Sequence, residues 1–155
     1  LLEVVWLPIV VVCVASLMYC VYLYIVQPSD EQEETQMVRN PFRLVPAITF
    51  GVLYAVILVL SNGAQSYFGD AGVYLSSVVA GLADVDAITL SMARLNENGS
   101  VASETAARAI VIAAAANTLL KGGIVALTGT RGLRRAVLPG IAIIVGVSAI
   151  AVLFI

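Results

Sequence analysis

Between Val4 and Val26 the chain reads VVWLPIVVVCVASLMYCVYLYIV, without a single charged side chain. A helix rises about 1.5 Å per residue and the hydrocarbon core of a bilayer is about 30 Å thick, so about 20 apolar residues make a crossing. This run meets that length. It is apolar on every side, whereas a helix on the surface of a soluble domain carries a polar face. Pro8 stands near its start, where a missing N–H costs little, and Tyr19, Tyr22 and Tyr24 crowd its far end like an interfacial belt.

Working outward, the same reading recurs four times, giving expected spans at 4–26, 41–61, 71–93, 104–127 and 136–155. The whole chain of 155 residues is 61% hydrophobic and 12% charged, and its mean hydropathy is +1.01. Soluble domains carry about 25% charged residues, because a wet surface demands them. The expected fold is therefore all-α: a polytopic transmembrane helix bundle of about five spans, residues 1–155 forming one domain. No low-complexity region or soluble domain interrupts it. The chain begins at Leu1 with no basic segment before the first apolar run, which argues against a signal peptide. It reads as the C-terminal part of a longer protein.

The composition also excludes several function classes. A net charge of −2 offers no basic face for nucleic acid. With no histidine, most zinc and copper ligand sets are out of reach. Cys13 and Cys20, seven residues apart on one helix face, read as small apolar residues of a span. No G-x-S-x-G, P-loop, Cys–His pair or H-E-x-x-H occurs, and no catalytic residue is expected.

The connections are short and polar. Gln27 to Asn40 is acidic (Asp30, Glu31, Glu33, Glu34) and reads as a solvated loop, closed by an Asn40–Pro41 helix start with Pro46 one turn in. Asn62 to Asp70 holds Gly63 and Gly69, Arg94 to Ser103 is a loop, and Thr128 to Arg135 is a basic turn. Asn98-Gly99-Ser100 formally matches a glycosylation acceptor, with nothing else to support that use. Arg131, Arg134 and Arg135 read as an interfacial anchor, with binding of anionic headgroups as the alternative. With five crossings, Arg39, Arg43 and Arg94 fall on one side and those three arginines on the other, so positive charge does not orient the chain. A re-entrant segment near 62–82, or further spans upstream, would account for the tie.

The segment from Gly81 to Ser91, GLADVDAITLS, is the most informative. A carboxylate in hydrocarbon costs about 2.5–3.5 kcal/mol on insertion scales, so Asp84 and Asp86 should face protein or a wet cavity. On a regular helix they lie about 200° apart: Asp84 would share a face with Gly81, Ile88 and Ser91, and Asp86 with Leu82 and Thr89. If the helix breaks near Gly81–Asp86, both carboxylates and freed carbonyls converge, as in the broken helices of transporters. Asn117 and Lys121, four residues apart on the fourth span, share a face. A buried lysine and a buried aspartate relieve each other, either as a structural pair or as a site where an incoming cation displaces the lysine. The rest of that span is small: Ala106, Ala107, Ala109, Ala113 to Ala116, then Gly122 and Gly123. It reads as a close-packing surface with room for a kink.

GLADVDAITLSMA (Gly81 to Ala93), ARAIVIAAAANTLLKGG (Ala107 to Gly123) and the Asn40-Pro41-Phe42 start followed by Ala47 to Gly51 resemble the bacterial membrane family of unknown function DUF4010. The likeness covers about the last three quarters of the chain. It implies a multi-pass protein of the bacterial inner membrane, commonly with more spans upstream and often associated with an MgtC/SapB-type domain. That association points, by analogy alone, to magnesium or acid-stress physiology. The matching positions Asp84, Asp86, Asn117 and Lys121 are where the family's site would lie.

The expected function is a transporter or channel for a small cation, a proton or a divalent metal. Asp84, Asp86, Thr89, Ser91 and Asn117 would supply the oxygen ligands that hard cations require, and Lys121 the counter-ion. Any metal would sit on Asp84 and Asp86. No cofactor beyond a bound cation is expected, and the partners are the bilayer and either a second copy or upstream spans. The competing reading is a non-transporting assembly or regulatory module in which an Asp–Lys network is structural. An intramembrane enzyme ranks last, since paired aspartates of a protease come from different helices.

Overall fold

Backbone N–H and C=O groups in lipid have no water to bond, so an apolar chain satisfies them internally as helix. The computed structural model describes residues 2–26 and 44–154. They form α1 (Leu2–Val26), α2 (Leu44–Ala83), α3 (Val85–Glu97), α4 (Ser103–Thr128) and α5 (Arg131–Phe154), with no strand among the described residues. The fold is the expected all-α bundle. Four stretches are long and apolar enough to cross a membrane: Ile9–Val26, Ala47–Ala83, Ser103–Thr128 and Arg131–Leu153. The acidic stretch with Arg39, and the Asn40–Pro41 start with Arg43, lie outside the described residues.

Two departures from the expected spans define the architecture. First, helix continues through the polar stretch expected to connect spans, and within it Ser66 donates its hydroxyl to the Asn62 carbonyl at 2.9 Å. The chain instead turns at Gly69, whose backbone (φ 59, ψ −143) lies where only glycine is unstrained. Past the turn the chain comes back so closely that a Cβ on Gly72 would stand 2.1 Å from the Ala64 carbonyl oxygen. Thus α2 is two limbs, 44–68 and 70–83, running antiparallel. Leu53, Ile57 and Ser61 of the first share a groove with Ala83, Ala80 and Ser76 of the second.

Second, the expected third span is broken at Asp84, a single extended residue (φ −159, ψ 115). The break lies inside the window expected for it, and α3 does not continue onward. Its far end returns to the turn: Gln65 Nε2 donates to the Ser100 carbonyl at 3.4 Å, and the Thr105 hydroxyl to Asp70 Oδ2 at 3.2 Å. The second limb and α3 therefore form a V, each arm about 20 Å long at 1.5 Å per residue. Ile88, Met92 and Leu95 of α3 fill its interior with Val73 and Ala80, against Ile57 and the alanines 106, 109 and 113 of α4.

From the open end of the V, α4 runs to the far end of the bundle, where Arg134 donates to the Gly129 and Leu127 carbonyls at 2.9 and 3.2 Å and closes the α4 terminus. α5 returns, with Ile141 lying over Gly122. α1 packs on α4 and α5: the Tyr19 ring covers Gly140, and its hydroxyl donates to the Ala136 carbonyl. The bundle thus has a hairpin end (Gly69, residues 98–102, the start of α4) and a basic end (Arg131, Arg134, Arg135).

Candidate functional site at the tip of the helical V

The arms of the V meet at Asp84, and the local sequence explains why. Aspartate is a favoured N-cap because its short carboxylate reaches the free N–H groups of a helix start. Asp84 Oδ1 accepts from the Asp86 and Ala87 amides at 2.8 and 3.2 Å, while its own amide still donates to the Ala80 carbonyl at 2.8 Å. One residue thereby ends one helix and begins the next. Its carboxylate also meets the positive end of the α3 dipole.

The tip sits at the middle of α4. Gly81 lies against the α4 backbone so tightly that a Cβ there would be 2.5 Å from the Ala113 carbonyl oxygen. One turn on, Asn117 Nδ2 donates to the Gly81 carbonyl at 2.9 Å. Residues 113–117 are the midpoint of Ser103–Thr128, so the V penetrates half the bundle. At its tip Leu82, Ala83 and Asp86 are exposed and Asp84 is half-buried.

The structure gathers Asp84, Asp86 and Asn117 around this tip. Thr89 and Ser91 spend their hydroxyls on their own helix, donating to the Val85 and Ala87 carbonyls at 2.7 and 2.8 Å, and Ser91 is turned into the core. Lys121 is exposed, one turn beyond Asn117 towards the basic end. Among the described residues the one ion pair within 4.0 Å is Arg94–Glu97 at 2.8 Å, so Lys121 contacts neither tip carboxylate at that range. No three Asp, Glu or Cys side chains converge among the described residues; a cation at the tip would add hydroxyl, carbonyl or water oxygens to Asp84 and Asp86. Cys13 and Cys20 are exposed free thiols on α1.

Reading spans by hydropathy missed two features. Gly81 acts through close backbone contact with α4. Arg94, Glu97 and Tyr54, assigned to a loop and a plain span, border one groove with Leu90 and Ala93. The spacing Asp86, Leu90, Ala93, Glu97 is a single helix stripe, and it was the available signal.

The sequence profile of the family described as Domain of unknown function (DUF4010) matches residues 1–129, which take in the whole V and α4. An uncharacterized protein of Aquifex aeolicus (strain VF5) is 38% identical over 119 residues, covering 76% of this chain and 52% of that protein. The chain thus spans about half the length of this curated relative. Neither match speaks of an MgtC/SapB-type domain. No solved structure matches the chain.

Proposed function

The chain belongs to the family Domain of unknown function (DUF4010), and on that footing we propose that it is a multi-pass protein of the bacterial inner membrane that conducts or transports a small cation through the tip of the V. The observation carrying this reading is the meeting of two half-helices at the midpoint of α4, with Asp84 and Asp86 at the junction. Arms of about 20 Å fall short of a hydrocarbon core of about 30 Å. They enter and leave at the same end, beside four crossings.

Irregular backbone at that depth is tolerated where it lines a cavity, and half-helix ends there are the recurring ion sites of transporters. The start of α3 carries about half a positive charge, so Asp84 and Asp86, its N-cap and first-turn acid, leave the tip net negative. In hydrocarbon that charge would cost about 2.5–3.5 kcal/mol, so it requires water or a bound ion. The carbonyls of Leu82 and Ala83, in the last turn of the second limb, add further oxygen donors. Lys121, exposed one turn beyond Asn117 on α4, would be the counter-charge, and a proton or a hard divalent cation suits these groups. No catalytic role is assigned to any of these residues.

In the competing reading, an assembly or regulatory module, an Asp–Lys network would hold the bundle; among the described residues Lys121 makes no ion pair within 4.0 Å. Among the described residues the V puts Arg131, Arg134 and Arg135 at one end and Arg94 and Arg108 at the other, and we assign the basic end to the cytoplasm.

The test is cation flux in proteoliposomes holding the full-length protein. Asp86→Asn should abolish flux while the protein elutes as wild type does. Flux unchanged in both Asp84→Asn and Asp86→Asn rejects the proposal.

A further inference from the structure

α3 has two unlike faces. Ala87, Ile88, Ser91, Met92 and Leu95 are buried, whereas Asp86, Leu90, Arg94 and Glu97 are exposed. The exposed positions, with Ala93, form one stripe by helical spacing. They are not covered by α2: Tyr54 of its first limb borders the stripe and leaves an open groove along Leu90, Ala93, Arg94 and Glu97. From Glu97 to Asp86 is eleven residues, a rise of about 16 Å, or about half the thickness of the hydrocarbon core.

A stripe with charge at both ends and an open groove between them has no low-cost contact with lipid tails. We propose that the outer face of α3 lines a water-filled groove through which the cation reaches Asp86 from the hairpin end. Arg94 and Glu97, 2.8 Å apart, form its mouth. Arg94 and Glu97 border the groove and Asp86 lies beyond its inner end, so the stripe as a whole carries one positive and two negative charges and its net field favours cations. Arg94 holds Glu97 at the mouth and sets how strongly that field acts. This inference rests on the transport reading and names its access path, but its geometry is testable without any flux.

The experiment uses the full-length protein with Cys13→Ala and Cys20→Ala, in sealed vesicles, carrying one new cysteine at a time. Ser100→Cys marks the hairpin end and Thr130→Cys the basic end. Leu90→Cys and Ala93→Cys should react with a membrane-impermeant thiosulfonate added to the face where Ser100→Cys reacts. Leu75→Cys, on an apolar exposed position of the second limb, should react only with a lipid-soluble maleimide. A cationic thiosulfonate should outpace an anionic one at Ala93→Cys, and Glu97→Gln should remove that preference. If Leu90→Cys and Ala93→Cys behave like Leu75→Cys, or react only from the Thr130→Cys face, the groove is refuted. A wet groove in a protein without flux refutes the transport reading alone. A dry groove in a protein with flux refutes the access path alone.

Discussion

Replacing Gly81 with alanine puts a methyl group 2.5 Å from the Ala113 carbonyl oxygen and 2.7 Å from its Cα. Ordinary carbon contacts stand at about 3.5–4.0 Å, so the arm and α4 must part by about 1 Å. Overpacking of this kind costs about 1–3 kcal/mol. The parting also stretches the 2.9 Å bond from Asn117 to the Gly81 carbonyl, worth about 0.6–1.5 kcal/mol. Alanine recovers about 0.5–1 kcal/mol of helix propensity, which leaves a net loss of about 1–3 kcal/mol.

Gly51→Ala is the matched control, since nothing lies within 4 Å of a Cβ there; it should gain about 0.5–1 kcal/mol. Helicity followed through a detergent unfolding titration of the purified protein reads both variants. Asn117→Ala should cost less in the Gly81→Ala background than in wild type, because the two changes break the same contact. If Gly81→Ala is as stable as Gly51→Ala, the close approach of the tip to α4 is wrong.

Asp84→Ala should destabilise the protein by about 0.5–2 kcal/mol through loss of the α3 cap, while Asp84→Asn, an equally good cap, should leave the unfolding midpoint near wild type. Equal losses in the two variants would mean that the charge, and not the cap, holds the junction. Gly69→Ala forces a side chain into a backbone region costing about 1–3 kcal/mol; an unchanged unfolding midpoint would show that the two limbs of α2 do not turn there.

Hydropathy made α1, α4 and α5 legible, because their apolar runs coincide with continuous helices. The course of the chain between residues 44 and 97 was not, for a physical reason. Hydropathy records how much of a segment suits lipid, and it carries no direction. The run from Ala71 to Ala93 is apolar enough to cross, yet Asp84 turns it back by ending one helix and capping the next. Asn62, Gln65 and Ser66 looked like a connection because they are polar, but Ser66 bonds its own helix and Gln65 reaches Ser100. Gly69 lay within the expected connection, and only its positive φ makes it the turn. Asp84, Asp86 and Asn117 stand out in the sequence as polar groups inside apolar runs, and the structure brings them to the tip. Their partners depend on how the arms meet α4, which residue type alone does not encode.

The V also dictates an order of assembly. Its arms are too short to cross unaided, and the tip carbonyl of Gly81 finds its partner in Asn117, which the ribosome makes thirty-six residues later. Until α4 has emerged, the arms have only the first limb of α2 to lean on, and the tip carbonyl has no partner. The last contact of this region to form is therefore the seating of the tip on a finished α4.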